Sequence, residues 1–153
     1  MCDIFDSIIR KFTKRRNVAL FIDGPNVIRP KEFRIDLQKV KSMVSVNGTV
    51  KISRVYLDQF ASDKLIEAVV NQGYEPVIST GDVDTLLVAE AMEAIFNKNI
   101  DVIALMTRDT DMIPVINRAK ARGKDTIIIG LASGFSKALS KSADKTILYG
   151  EQA

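Results

Sequence analysis

Apolar positions along this chain fall into two alternating patterns. Short apolar runs bounded by turn residues recur at Asn17–Asn26, Val50–Leu57, Tyr74–Ser79, Asp101–Met106, Thr126–Gly130 and Thr146–Tyr149. The first of them, Val18-Ala19-Leu20-Phe21-Ile22, has no polar interruption. Such a run reads as a strand buried on both faces, as in a parallel sheet covered by helices. Between the runs lie segments of helical spacing. One covers Ile35–Val46 and stops at Asn47-Gly48, and another covers Asp63–Asn71 and closes at Gly73. A third leads from Thr80–Asp84 to Lys98, a fourth spans Asp111–Arg122 with Pro114 in its first turn, and a fifth covers Gly134–Ser142. Glycine and asparagine are ordinary helix stops, and a first-turn proline loses no hydrogen bond. This β-α repetition predicts a three-layer α/β/α sandwich with a mostly parallel central sheet of Rossmann-like topology. The chain has no internal repeat and no linker, so one domain is expected over residues 17–150.

Ahead of it stands an arm, residues 1–16. Ile4, Phe5, Ile8, Ile9 and Phe12 fall on one face of a helix over residues 3–14. The arm holds five basic residues against two acidic ones, so the whole net charge of +3 resides there and the remainder is balanced. Two readings stay open: an anchor for an anionic surface, nucleic acid or membrane, or a helix packed on the domain with a solvated basic end.

Composition narrows the chemistry. The sequence contains no histidine and a single cysteine, Cys2. Triad catalysis, imidazole acid–base chemistry and zinc held by His or Cys are all excluded. One cysteine forms no intramolecular disulfide and suits a reducing, cytoplasmic interior. No apolar run reaches the ~18–20 residues a membrane-spanning helix needs, so no stable membrane insertion is expected.

Carboxylates remain, and they are placed at strand ends. Asp23 ends the first run and is followed by Gly24-Pro25, where the ladder must stop because proline offers no N–H. The run Asp101–Met106 leads into Thr107-Arg108-Asp109-Thr110-Asp111. If these two strands are neighbours, Asp23 and Asp109 meet at the switch point where open α/β sheets bind ligands. Turn and cap chemistry offers an alternative for each acid: Asp-Gly-Pro is a good turn, and Asp111 reads as a helix cap. Asp84 aligns at helical spacing with Val88, Ala91 and Ile95, which turns it inward. Glu90 falls on the polar arc with Glu93 and Asn97, which reads as solvated. Clustered carboxylates without His or Cys make an all-oxygen donor set suited to Mg²⁺ or Mn²⁺. Such an ion can activate water and clamp a phosphoryl oxygen. Arg29, Lys31 and Arg34 in the following loop could hold a phosphate backbone, or simply be solvated.

The ordered motifs FIDGPN (Phe21–Asn26), GDVDTLLVAEAM (Gly81–Met92), TRDTDMIPVINRAKARG (Thr107–Gly123) and SKALSKSAD (Ser136–Asp144) resemble those of the NYN family, a branch of the PIN-like nucleases. The resemblance implies a PIN-like fold and a metal-dependent ribonuclease. It puts the acidic positions, as catalytic or metal-binding groups, at Asp23, Asp84, Glu90, Asp109 and Asp111, with Asn26 as a polar companion. Asn26, Arg29, Lys31 and Arg108 are the candidates for substrate contact. RNA is the expected partner, and a homo-oligomer is compatible with the reading. Two positions depart from the family pattern: Asp82 stands where a lysine is common, and Glu90 where aspartate is usual. The charge reversal at Asp82 favours an alternative, a non-catalytic RNA-binding or regulatory module. Two phosphoryl-transfer alternatives fit poorly. Pro25 occupies the position of an aspartyl phosphatase's second acid, and Leu131-Ala132-Ser133 lacks a receiver-type lysine.

Overall fold

The computed structural model describes residue 4 and residues 15–28, 35–132 and 134–150. Apart from Ile4, the helix expected over residues 3–14 lies outside the described residues, as do Arg29, Lys31 and Arg34.

Six strands form one sheet: β1 (Asn17–Asp23), β2 (Thr49–Asp58), β3 (Glu75–Ser79), β4 (Val102–Met106), β5 (Asp125–Leu131) and β6 (Lys145–Tyr149). Their order is β3-β2-β1-β4-β5-β6, and every neighbouring pair is parallel. Helices α1 (Gly24–Val27), α2 (Leu37–Ser45), α3 (Asp63–Asn71), α4 (Val83–Phe96), α5 (Ile113–Ala121) and α6 (Lys137–Ser142) fill the connections. The chain therefore starts in the middle of the sheet, winds outward to β3, crosses back through α4 to β4 and winds outward again. The switch point lies between β1 and β4, as strand-end carboxylates at a binding site would require.

β1 shows why its sequence is apolar throughout. Val18, Leu20 and Ile22 pack on the face covered by α1, α2 and α3, while Ala19 and Phe21 pack on the face covered by α4, α5 and α6. All five are completely buried. Burying a side chain of the size of Leu20, Phe21 or Ile22 contributes about 1.5–3 kcal/mol. The central strand is thus the part of the sheet least able to shift, and Asp23 is its last residue.

Gly24-Pro25 does more than end the ladder. It starts the single turn α1, with proline in the first positions and the Ile28 N–H closing on the Gly24 carbonyl at 2.6 Å. A side chain at Gly24 would lie 2.1 Å from the Tyr56 carbonyl oxygen, so only glycine lets the turn press against β2. The helix expected to begin at Asp111 is divided. A 3₁₀ turn, Thr110–Met112, precedes α5, whose proline sits in the first turn. Elsewhere helix and strand ends fall within three residues of the expected ones.

Arg15 and Arg16, counted with the arm, are tied to the body. The Arg15 guanidinium donates to the carbonyls of Ser45 (2.6 Å) and Gly48 (3.2 Å) at the end of α2, where a cation suits the helix dipole. Arg16 pairs with Asp125. No helix among the described residues is long and apolar enough to cross a membrane.

Candidate functional site

Asp23 is a carboxylate with no exposed surface at the carboxyl end of the central strand. The alternation along β1 turns it toward the face that carries α4. Its Oδ2 accepts from Asn26 Nδ2 at 2.6 Å and from Thr107 Oγ1 at 3.1 Å. Its Oδ1 is buried with no hydrogen-bond partner among the described residues. Asp23 precedes α1 directly, yet its side chain caps nothing there. The turn-and-cap reading therefore does not account for this residue. A buried, unpartnered carboxylate oxygen costs stability unless something binds it.

β4 delivers the second part of the site. Met106 ends it opposite Ile22 of β1, so Thr107 stands beside Asp23. Thr107 is buried. It donates to Asp23 and accepts the Asp109 N–H at 3.0 Å, joining the two acidic segments. Sequence reasoning passed over this residue; its signal was a hydroxyl directly between a buried strand and an acid pair. The cap at this turn is Asp109, not Asp111: Asp109 Oδ1 accepts the Asp111 N–H at 2.8 Å. A 3₁₀ turn beginning at Thr110 runs ahead of the proline-led α5, and this moves the cap two residues back from Asp111. Asp111 is exposed in the 3₁₀ turn.

The third acid arrives from α4. Asp82 caps that helix, its Oδ1 accepting the Asp84 N–H at 2.9 Å, and this leaves the Asp84 side chain to face the sheet edge. The Asp84 carboxyl is pushed up to about 6. Burial is the main cause, followed by the negative charges of Asp23 and Asp109, a hydrogen bond with Asp109, and Asp82. Asp23, Asp84 and Asp109 thus sense one another across three separate elements.

Glu90 requires a correction. It is not solvated: its Oε1 accepts from Tyr56 Oη at 2.8 Å and from Arg54 at 3.0 Å, with the side chain one-fifth exposed. Arg54 also pairs with Glu75 at 2.9 Å. Tyr56 is wholly buried beside Phe21, and burial and Glu90 together raise its pKa far above the usual phenol range. The polar arc of α4 faces β2 and β3 here, and helical period alone does not reveal that.

Of the expected substrate contacts, Asn26 is half-buried against Asp23, and Arg108 is half-buried with its Nε lacking a hydrogen-bond partner among the described residues. Among the described residues no three His, Cys, Asp or Glu side chains are arranged to hold a metal ion as they stand. The donors still fit a hard divalent cation. They are all oxygen, one buried oxygen is unpartnered, and Asp84 is strained by like charge.

A family model described as NYN domain matches residues 17–150. The chain belongs to the NYN domain family. Membership associates the domain with a PIN-like nuclease family. An uncharacterized protein of Methanocaldococcus jannaschii is 54% identical over 143 residues, which is 94% of this chain. The chain spans 59% of the length of that relative. A crystal structure of a protein of unknown function from Vibrio parahaemolyticus superposes with a TM-score of 0.78 at 17% identity, over 91% of this chain and 96% of the other. That likeness speaks for the fold alone.

Proposed function

We propose that this NYN domain, residues 17–150, is a cytoplasmic ribonuclease that hydrolyses RNA phosphodiester bonds with Mg²⁺ or Mn²⁺. The observation that carries the reading is the Asp23 carboxylate, buried at the switch point with an unpartnered oxygen and facing two further acids. Asp23, Asp84 and Asp109 would hold the ion, with Asp111 at the open side. A bound ion of this kind supplies an activated water and polarises a phosphoryl oxygen. The protein's own residues prepare the place. Asn26 and Thr107 fix Asp23 through one oxygen and leave the other available. Thr107 also fixes the Asp109 backbone, so β1 and β4 present their acids in register. Arg108, Asn26, Arg29 and Lys31 would meet the substrate's phosphates. Glu90, held by Tyr56 and Arg54, would support the wall of the site rather than ligate.

One observation favours a second reading, an RNA-binding module without catalysis. Asp82 caps α4 at the rim where the family commonly carries a lysine, so a charge that could meet phosphate is reversed. Cleavage of single-stranded RNA in Mn²⁺, followed together with thermal melting with and without the ion, separates the two. The nuclease is expected to cut and to melt higher with Mn²⁺. RNA binding with neither effect would establish the module instead.

A further inference from the structure

Across the carboxyl edge from the acid cluster, on the opposite face of the sheet, lies a cavity of about 520 Å³. Its walls include Gly24, Pro25, Leu57 and Leu65, so the turn that follows Asp23 is also one side of this cavity. The volume lies within the ~300–1,000 Å³ typical of small-ligand sites. Phe60 lines it while remaining 83% exposed. The ring is not there by looseness. Asp58 ends β2 and its Oδ1 accepts the Phe60 N–H at 2.9 Å, while the Ala61 N–H returns to the Asp58 carbonyl at 3.2 Å. This turn holds Phe60 outward, two residues before Ser62, the cap of α3. Lys64, exposed on the first turn of α3, lines the same cavity.

We propose that this cavity is a subsite for an unpaired nucleobase of the single-stranded RNA whose phosphate lies at the acid cluster. The inference rests on the nuclease reading for its orientation, not for its chemistry. Apolar walls such as Leu57 and Leu65 and a presented aromatic ring suit a base, whose flat face every nucleotide offers for stacking. They offer no seat for a phosphate, whereas Lys64 beside them can pair with the backbone. Continuity through Gly24-Pro25 means that a strand held at Asp23 passes over this turn and delivers its neighbouring nucleotide to Phe60. Base stacking at Phe60 would also favour single strands over duplexes, whose bases are already stacked.

The sequence has no tryptophan, so Phe60→Trp places a single indole reporter in the full chain. Titration with an oligouridylate in EDTA, where no cleavage occurs, is expected to quench its emission. Phe60→Ala is expected to weaken binding of the same oligonucleotide about tenfold, with Phe60→Tyr restoring it. Quenching in a protein that never cleaves RNA would sustain the base subsite and remove the nuclease reading. Cleavage without quenching, with Phe60→Ala binding as wild type, would overturn the subsite and leave the nuclease. An emission change on concentrating the protein alone, with no response to RNA, would overturn it in favour of an apolar protein contact.

Discussion

Two groups of acids flank the Phe21–Tyr56 contact, and they are built on opposite principles. Glu90 and Glu75 are answered by Arg54, and Glu90 also by the Tyr56 hydroxyl. Asp23, Asp84 and Asp109 have no cation as partner among the described residues; they have one another, an amide, a hydroxyl and a backbone N–H group. The first arrangement stabilises the join between α4 and β2. The second costs stability, since like charges are brought together and one oxygen is left bare. An acid cluster that opposes folding persists because something other than folding needs it, which is why the switch point, and not the better-bonded Glu90, carries the functional proposal.

The comparison can be broken most forcefully at Asp23. An asparagine there still accepts from Asn26 and Thr107, so Asp23→Asn is expected to fold while RNA cleavage in Mn²⁺ falls at least roughly 100-fold, about 3 kcal/mol of barrier. Cleavage at the wild-type rate would remove the cluster from the chemistry. Next in size is Arg54→Met, which leaves Glu90 and Glu75 without their cation. It is expected to cost about 1–3 kcal/mol in a denaturant titration, and the upward melting shift given by Mn²⁺ should stay as in the wild type. A lost metal response would tie the two acid groups together.

A smaller effect tests the opposition of sign. Glu90→Gln should lower the metal-free melting temperature by the equivalent of about 1 kcal/mol, because it weakens charge-assisted hydrogen bonds. Asp84→Asn should raise it, because it removes a repelling charge. Shifts of the same sign would show that the two groups are not built differently.

The least effect is on pH. Asp84 takes up its proton near pH 6 in the folded protein, against about 3.9 for an unfolded aspartate. Between these values the folded state holds the extra proton, so metal-free stability should rise as the pH is lowered from about 7 toward about 5. Added Mn²⁺ should flatten that rise. A metal-free melting temperature that drops steadily over this window would contradict the crowding at Asp84.

How much of this was legible in the residues depends on the range of the force involved. All six strands could be read from apolar runs, most clearly residues 18–22 of β1 and the whole of β4, because a stretch buried on both faces is apolar at every position. Asp84 could be placed from its own helix, since Val88, Ala91 and Ile95 share its face. The link from Asp23 to Asp109 was expected from topology, but Thr107 between them was not, since a lone hydroxyl carries no periodic signal. Glu90 misled because its partners, Arg54 and Tyr56, lie 36 and 34 residues away on another element. The Asp109 cap was shifted by a local event, the 3₁₀ turn ahead of Pro114, that residue spacing does not resolve.

The neighbouring positions of β1 and β4 have a consequence for the order of events in folding. Asp23 and Thr107 touch across 84 residues of chain, and the intervening β2 and β3 pair on the other side of β1. A pairing so distant in sequence closes late, because its loop entropy is not recovered by any nearer contact. A nascent chain that has released only β1, α1 and β2 can already seat Gly24 against Tyr56 and bond Asn26 to Asp23. It has neither Asp84 nor Asp109 in place. The repulsion of the finished site is therefore felt in full only when β4 docks, and a chain halted before that step would carry a half-built sheet without the Asp109 side of the proposed site.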